Sequence, residues 1–392
     1  MSLIQVFNRY RQLGGEEKSA ERIFRHGSHV VDMTKLWWDS ADWDLPSGPN
    51  LIGQLRRTFS NPDTAKELEA SILKFSPDAL LCHNLYPVAS PSVYSVARKM
   101  EIPVIQYIHN FRPFSVGANL WAGDRIAEES LHGDFRSEIL QGAWQNSVLR
   151  SLVMGAVLKS LSWRGLIGSV RGWIAISEFM RLKFIEAGIE EDRVVTLRHS
   201  WDLSEPTLGA KEEDYYLCLS RLVPEKGVRT LLDAWKVLEE TLRGNCPRLV
   251  IGGSGSEEGI VQAAAENSGK IDFLGFVDGR LKRELIEGCR AMIAPSIWWE
   301  PLGLVTYEAY DCGRPMIASS SGGLTETVEH GETGWLFEPG KAAELANAVI
   351  ECEDCGRDQR SDMGLAGRKW LKENACPEKW KISFKEILEK FA

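Results

Sequence analysis

Two glutamates and two cations in the second half of the chain are spaced for work on a phosphorylated, hydroxyl-rich ligand. Glu300 and Glu308 frame the block Ser296-Ile297-Trp298-Trp299-Glu300-Pro301-Leu302-Gly303-Leu304-Val305-Thr306-Tyr307-Glu308-Ala309. Pro301 and Gly303 forbid a regular helix around Glu300, whereas Leu304 to Tyr310 reads as a helix that Gly313 stops. Glu300 is therefore expected in the loop before a helix and Glu308 inside it. Unpaired amides at such a helix start point at whatever ligand sits there, and Gly303 lets it approach closely, which suits a diphosphate. A carboxylate accepts two hydroxyl hydrogen bonds at once, which suits a diol or a sugar. Arg221 and Lys226, five residues apart in Leu219-Ser220-Arg221-Leu222-Val223-Pro224-Glu225-Lys226-Gly227, supply the fixed positive charge that a leaving diphosphate needs.

These residues need strand ends to hold them. In the second half, strands are expected at Tyr215 to Leu219, Leu249 to Ile251, Ile271 to Leu274, Ala291 to Ile293 and Pro315 to Ala318, each followed by a helix-like stretch such as Val228 to Leu238. Three glycine-bearing turns lie on one edge of this sheet, among them Gly252-Gly253-Ser254-Gly255-Ser256 and Ser320-Ser321-Gly322-Gly323-Leu324-Thr325-Glu326. Gly253 is expected to admit a phosphate or base against its backbone. The first half alternates likewise, with strands at Leu3 to Phe7, Val30 to Met33, Ala79 to Cys82, Val104 to Ile108 and Trp173 to Ile176. A helix-rich insertion runs from Phe114 to Gly172. The linker is placed between Ser200 and Glu213, where Pro206 and Gly209 interrupt a polar stretch. Glu378 to Phe391 makes an amphipathic helix through Trp380, Ile382, Phe384, Ile387 and Phe391.

The 392 residues exceed the roughly 250–300 at which a single core stops growing, so two domains are expected. Hydrophobic residues at 44% and charged ones at 26% describe an ordinary soluble protein, and a net charge of −9 argues against a nucleic-acid partner. The eight cysteines are scattered and read as reduced, buried thiols; the single Cys352-x-x-Cys355 has no second pair for a zinc site. Met1-Ser2-Leu3-Ile4-Gln5-Val6-Phe7 reads as a strand without a charged leader, and no apolar run reaches the roughly 18 residues of a membrane span, which together imply a cytoplasmic enzyme.

The motifs as a set carry a resemblance. Ser-Arg-Leu-Val-Pro-Glu-Lys-Gly, Gly-Gly-Ser-Gly, Phe273-Leu274-Gly275-Phe276-Val277, the Glu300-to-Glu308 block, and Ser-Gly-Gly-Leu-Thr-Glu followed by Gly331-Glu332-Thr333-Gly334-Trp335-Leu336 resemble, in order and spacing, the retaining glycosyltransferases of the GT-B fold, family four. The resemblance implies an α/β architecture of two Rossmann-like doubly wound domains facing a cleft. Residues 1–205 would form an acceptor-side domain with the insertion around 114–172, residues 206–375 a nucleotide-sugar-binding domain, and residues 376–392 a crossover helix returning to the first. It further implies that Arg221 and Lys226 neutralise the donor diphosphate, that Glu300 contacts the donor sugar, and that Glu308 holds the ribose hydroxyls. The amides of Gly303, Leu304 and Val305 would meet the phosphates, and the segment around Phe276 would line the nucleobase pocket. Retention is expected by front-face attack, the departing diphosphate accepting the acceptor's proton, so that no separate nucleophile is required.

In the first domain, Tyr10-Arg11-Gln12-Leu13-Gly14-Gly15-Glu16-Glu17 resembles the family's glycine loop, with Gly14 and Gly15 approaching the diphosphate. His109, in Ile102-Pro103-Val104-Ile105-Gln106-Tyr107-Ile108-His109-Asn110, falls on the family's histidine near the donor sugar. His83 reads equally as a packing residue or an acceptor-side one. The chain departs from the family at Arg198-His199-Ser200-Trp201-Asp202, where no contact is carried over. Asp42-Trp43-Asp44 spells a metal-binding Asp-x-Asp, but it lies in a Trp- and Pro-containing loop and the fold class uses no metal; no cofactor is expected. Gln141 to Ser177 carries Arg150, Lys159, Arg164 and Arg171 with no acidic residue, which reads either as buried helices with solvated arginines or as a peripheral membrane contact with anionic headgroups. The partners expected are a nucleotide-sugar donor and an acceptor that is a sugar, a lipid-linked sugar or a small molecule. A sugar-nucleotide epimerase of the same fold and a catalytically silent sugar-nucleotide-binding protein are the alternatives.

Overall fold

Short apolar runs separated by helices can bury both faces only in a parallel sheet covered on each side, and both halves of the chain do this. The computed structural model describes residues 1–11, 14–205 and 212–392. Within them the chain divides into two units, Met1–Ser200 with Pro377–Ala392, and Trp201–Cys376. Pro206 and Gly209 lie outside the described residues, as do Gln12 and Leu13 of the first-domain glycine loop.

The first unit holds a parallel six-stranded sheet in the order Asp32–Asp39, Ser2–Arg9, Ala79–Cys82, Val104–Ile108, Val170–Ala175, Val194–Thr196. Its central strands are buried throughout, as in Ala79–Cys82 and Val104–Ile108. The strand expected at Val30 to Met33 begins only at Asp32. The amides of Val30 and Val31 both donate to the Gly27 carbonyl, at 2.9 and 3.0 Å, closing the helix Gly15–Gly27 before the strand starts. The insertion supplies a small hairpin (Trp121–Ala122 with Arg125–Ile126) and the helices Arg136–Leu140 and Val148–Trp163. The C-terminal helix Pro377–Phe391 packs into this unit through Trp380, Phe384, Leu388 and Phe391; the Trp380 ring lies edge-on to His26, 6.1 Å between centroids.

The second sheet, also wholly parallel, runs Ile271–Phe273, Arg248–Gly252, Tyr215–Leu219, Met292–Ala294, Met316–Ser319, Gly334–Phe337. Its core gathers Tyr216, Trp235, Leu249, Ile293, Ile317 and Trp335. The buried Trp235 indole keeps its N–H paired, to the Pro247 carbonyl at 3.0 Å. The edge strands Val194–Thr196 and Gly334–Phe337 were not among the sequence expectations, because each is short and one begins with glycine.

Counted within each unit, the orders are 2-1-3-4-5-6 and 3-2-1-4-5-6. Each sheet therefore has one place where neighbouring strands send their following loops to opposite sides, and in open α/β sheets the crevice for a ligand opens at that place. In the second unit it lies between Tyr215–Leu219 and Met292–Ala294. In the first it lies between Ser2–Arg9 and Ala79–Cys82.

Candidate active site

In the second unit the two loops at the switch point are those carrying Lys226 and Glu300. Their contact is built from backbone. Gly227 sits at φ +71°, and a Cβ there would come within 1.8 Å of the Pro295 carbonyl oxygen, so the loop reaches the neighbouring strand end only because the residue is glycine. The Ile297 amide donates to the Glu225 carbonyl at 3.0 Å beside it. Lys226 Nζ then lies 2.7 Å from Glu300 Oε2, with only 16% and 14% of the two side chains exposed. The same oxygen accepts from Ser296 Oγ and Trp298 Nε1, both at 3.0 Å, and the ammonium stands 4.9 Å from the centroid of the Trp298 ring. Burial pushes the Glu300 carboxyl up, but the Lys226 charge and these hydrogen bonds outweigh it and hold the group below the usual carboxylate range.

The Glu300 loop is fastened from its other side by the turn after Met316–Ser319. Ser319 Oγ donates to the Ser296 carbonyl at 2.5 Å, Ser321 Oγ to that of Trp298, and the Gly323 amide to that of Glu300 at 2.7 Å. A Cβ at Gly322 would stand 2.3 Å from the Glu300 carbonyl oxygen. The Gly322-Gly323 pair is thus a clamp on Glu300.

The helix Leu304–Asp311 begins at Gly303 as expected, with no side-chain cap and no acid in its first turn, which leaves the amides of Leu304 and Val305 for a ligand. Glu308, one turn on, is already engaged: Lys282 Nζ donates to its Oε1 at 2.6 Å. Arg221 is placed differently from Lys226. Two-thirds of its side chain is exposed, and its charged contact is Glu225 at 3.9 Å. Phe276 is 75% exposed on the loop after Ile271–Phe273. Gly253 is needed for the protein's own packing: a Cβ there would meet the Ser220 carbonyl at 1.9 Å, so this turn lies directly against the Arg221 loop.

At the switch point of the first unit, Gly14 caps the helix Gly15–Gly27 without a side-chain bond, and a Cβ on Gly14 would meet open space. His83 directly follows its strand, and His83 Nδ1 lies 2.8 Å from His109 Nε2. The His109 ring stacks on Tyr107 and on His199, at 5.2 and 5.1 Å between centroids. Burial drives the His83 and His199 imidazoles well below their usual range and His109 down to about 3, so all three are neutral. A small recess is lined by Glu16, His83, Tyr86, Tyr107, His109 and Arg112, among others. Burial raises the Glu16 carboxyl to about 7, against hydrogen bonds from Tyr10 Oη at 2.7 Å and Asn110 Nδ2 at 2.9 Å. Asp42 and Asp44 lie in the turn Ser40–Asp44, where Asp44 pairs with Arg11 at 2.7 Å.

Three residues at these sites were not anticipated from sequence: Lys282, Glu16 and His199. Glu16 had a local signal, an acid in the first turn of a helix opened by glycines. Lys282 and His199 had none, because each meets its partner only through the sheet order.

The second unit also matches a family of known proteins. Residues 200–370 match the model described as "Glycosyl transferases group 1". Among curated relatives, a GDP-mannose-dependent alpha-(1-6)-phosphatidylinositol monomannoside mannosyltransferase of Mycobacterium tuberculosis is 33% identical over 208 residues, 48% of this chain and 51% of that protein. An O-antigen chain mannosyltransferase B of Escherichia coli is 27% identical over 169 residues, 42% of this chain and 44% of that one. The chain thus spans about half the length of the curated relatives it matches. The matches support the group 1 glycosyl transferase family. Among solved structures, Anabaena HepE in complex with UDP-glucose aligns at TM-score 0.68 and 19% identity, covering 98% of this chain and 99% of that one. Sucrose-phosphate synthase of Thermosynechococcus elongatus aligns at 0.69 and 18%, covering 100% and 99%. The fold is GT-B.

Proposed function

We propose that the protein is a retaining glycosyltransferase that moves a sugar from a nucleotide diphosphate sugar to an acceptor hydroxyl without a metal ion. The observation that carries the reading is the Lys226–Glu300 pair at the switch point of the second sheet, 2.7 Å apart and mostly buried beside an uncapped helix start. A diphosphate over the amides of Leu304 and Val305 would be met by the Lys226 ammonium, where charge develops as the leaving group departs. Glu300, ionised and oriented by Ser296 and Trp298, accepts from sugar hydroxyls or stabilises positive character at the reacting carbon. Glu308 takes the ribose diol with Lys282 beside it, and Arg221 closes on the phosphates from solvent. GDP-mannose appears in the names of the mycobacterial relatives and UDP-glucose in the HepE complex, so both are donor candidates.

The acceptor side of the reading includes a membrane contact. On the helix Val148–Trp163, Leu149, Leu152, Ala156, Lys159 and Trp163 are all exposed at three- and four-residue spacing, opposite the buried Met154, Val157, Leu158 and Leu161. Trp163 is 89% exposed, and the stretch 141–177 holds only basic charges. An apolar stripe flanked by cations fits an anionic lipid surface carrying a lipid-linked acceptor. No helix among the described residues is long and apolar enough to cross a membrane.

A thermal-shift titration tests the donor. A sugar nucleotide at 100 times its Kd stabilises the protein by about 2.7 kcal/mol, so GDP-mannose or UDP-glucose should raise the melting temperature while free mannose and glucose leave it nearly unmoved. The reading is abandoned if no uridine, guanosine or adenosine diphosphate sugar shifts it.

A further inference from the structure

Gln5 is fully buried in the middle of the first strand, and its amide nitrogen touches two acceptors. Nε2 lies 2.9 Å from the Ala20 carbonyl oxygen, and turning the amide over would press two oxygens together at that distance. The orientation of the side chain is therefore fixed. The same Nε2 lies 2.9 Å from His83 Nε2, and an amide nitrogen donates but does not accept. His83 Nε2 must therefore be bare. In a neutral imidazole the proton is then on Nδ1, which donates to His109 Nε2 at 2.8 Å. His109 Nε2 is bare in turn, and the His109 proton is on Nδ1.

That last proton has no acceptor among the described residues, although His109 is nine-tenths buried. An unpaired buried N–H costs roughly 1–3 kcal/mol. His109 lines the recess, and two other lining residues carry buried polar atoms without a partner, Tyr86 Oη and Arg112 Nε. The recess encloses about 20 Å3, room for one hydroxyl.

We propose that Gln5 and His83 are positioning residues that fix His109 in its Nδ1–H tautomer, so that His109 donates a hydrogen bond to one hydroxyl that a sugar or polyol inserts into this recess. His109 is then a donor and not a base. A hydroxyl oxygen accepting from His109 still has its own proton to give, and the Glu16 carboxyl, which also lines the recess, offers an oxygen to accept it. Only the class of ligand rests on the glycosyl-transfer reading; the direction of the relay follows from Gln5 alone.

The test is long-range proton–nitrogen NMR on protein labelled only in its seven histidines, with His83 and His109 assigned by His83→Phe and His109→Phe. The two neutral tautomers give different coupling patterns. Both residues should show Nδ1–H in the wild type, and Gln5→Met, which keeps the size but loses the donor, should mix the tautomers of both. An Nε2–H pattern at His109 in the wild type overturns the proposal, even if Gln5→Met fails to fold, and so does an unchanged pattern in a folded Gln5→Met. Addition of mannose, myo-inositol, GDP-mannose or UDP-glucose should shift the His109 Nδ1–H signal; if none of the four does, the sugar site is refuted. A shift with mannose or myo-inositol and none with the nucleotides would leave the relay and its site standing while the donor reading fell.

Discussion

The pair Lys226–Glu300 lends itself to a double-mutant cycle. At 2.7 Å and an effective dielectric constant near 20, two unit charges attract by about 6 kcal/mol. Each charge has also lost most of its water, at several kcal/mol apiece, so the net coupling should be on the order of 1–3 kcal/mol. Lys226→Met removes the ammonium and keeps the stem. It leaves Glu300 with Ser296 Oγ and Trp298 Nε1, both neutral donors, and the carboxyl should then titrate at least one pH unit higher. Glu300→Gln keeps the shape and strands the ammonium beside the Trp298 ring. Each single change should cost about 2–4 kcal/mol and the double change about 1–3 kcal/mol less than their sum. Urea unfolding of the four proteins at pH 7.5, followed through the transition of the second unit, measures this. In parallel, each single variant should lower turnover by about 100-fold or more, measured as release of nucleoside diphosphate from whichever sugar nucleotide binds. Stability losses that simply add, within about 0.5 kcal/mol, would show that the two groups are not paired in solution.

Acid should loosen the first unit. The His109 pKa falls to about 3 in the folded state against an ordinary 6.5, so between those values the unfolded chain takes up a proton that the folded one refuses. Stability is therefore complete above pH 6.5 and falls below it, by about 2 kcal/mol for His109 at pH 5, with His83 and His199 adding in the same direction. Glu16, raised to about 7 from 4.5, works the other way and returns about 2 kcal/mol over that range, so Glu16→Gln should steepen the acid loss seen in urea midpoints at pH 7 and 5. Gly227→Ala drives a Cβ into the Pro295 carbonyl and should cost more than about 3 kcal/mol in thermal unfolding, whereas Gly259→Ala, on an open face of the helix Glu258–Asn267, should stabilise by about 0.5–1 kcal/mol. Co-sedimentation with phosphatidylglycerol vesicles should exceed that with phosphatidylcholine and fall about tenfold or more in Leu152→Glu/Trp163→Glu; equal binding by the variant would remove the membrane contact.

The sequence by itself determined the elements and the chemistry they carry. Ala79–Cys82, Val104–Ile108 and Tyr215–Leu219 are strands within the bounds their apolar runs suggest, and the helix at Leu304 starts where Gly303 says it must. These are local matters, set by backbone freedom and by the period of apolar residues. Where a neighbour intrudes, the local pattern fails: Val30 and Val31 are apolar enough for a strand but are used to close a helix.

What only the tertiary structure decided is which of these side chains meet. Lys226 and Glu300 are 74 residues apart and form a buried pair because the first and fourth strands of the second sheet are neighbours. Arg221, equal to Lys226 in the sequence, is left largely in solvent. Glu308 is found with Lys282, and His109 within a relay that begins at Gln5, neither of which any motif announces. The physical reason is the same in each case. The order of strands within a sheet is fixed by long-range packing, and it is that order, rather than spacing along the chain, that sets the distance between two charges or two imidazoles.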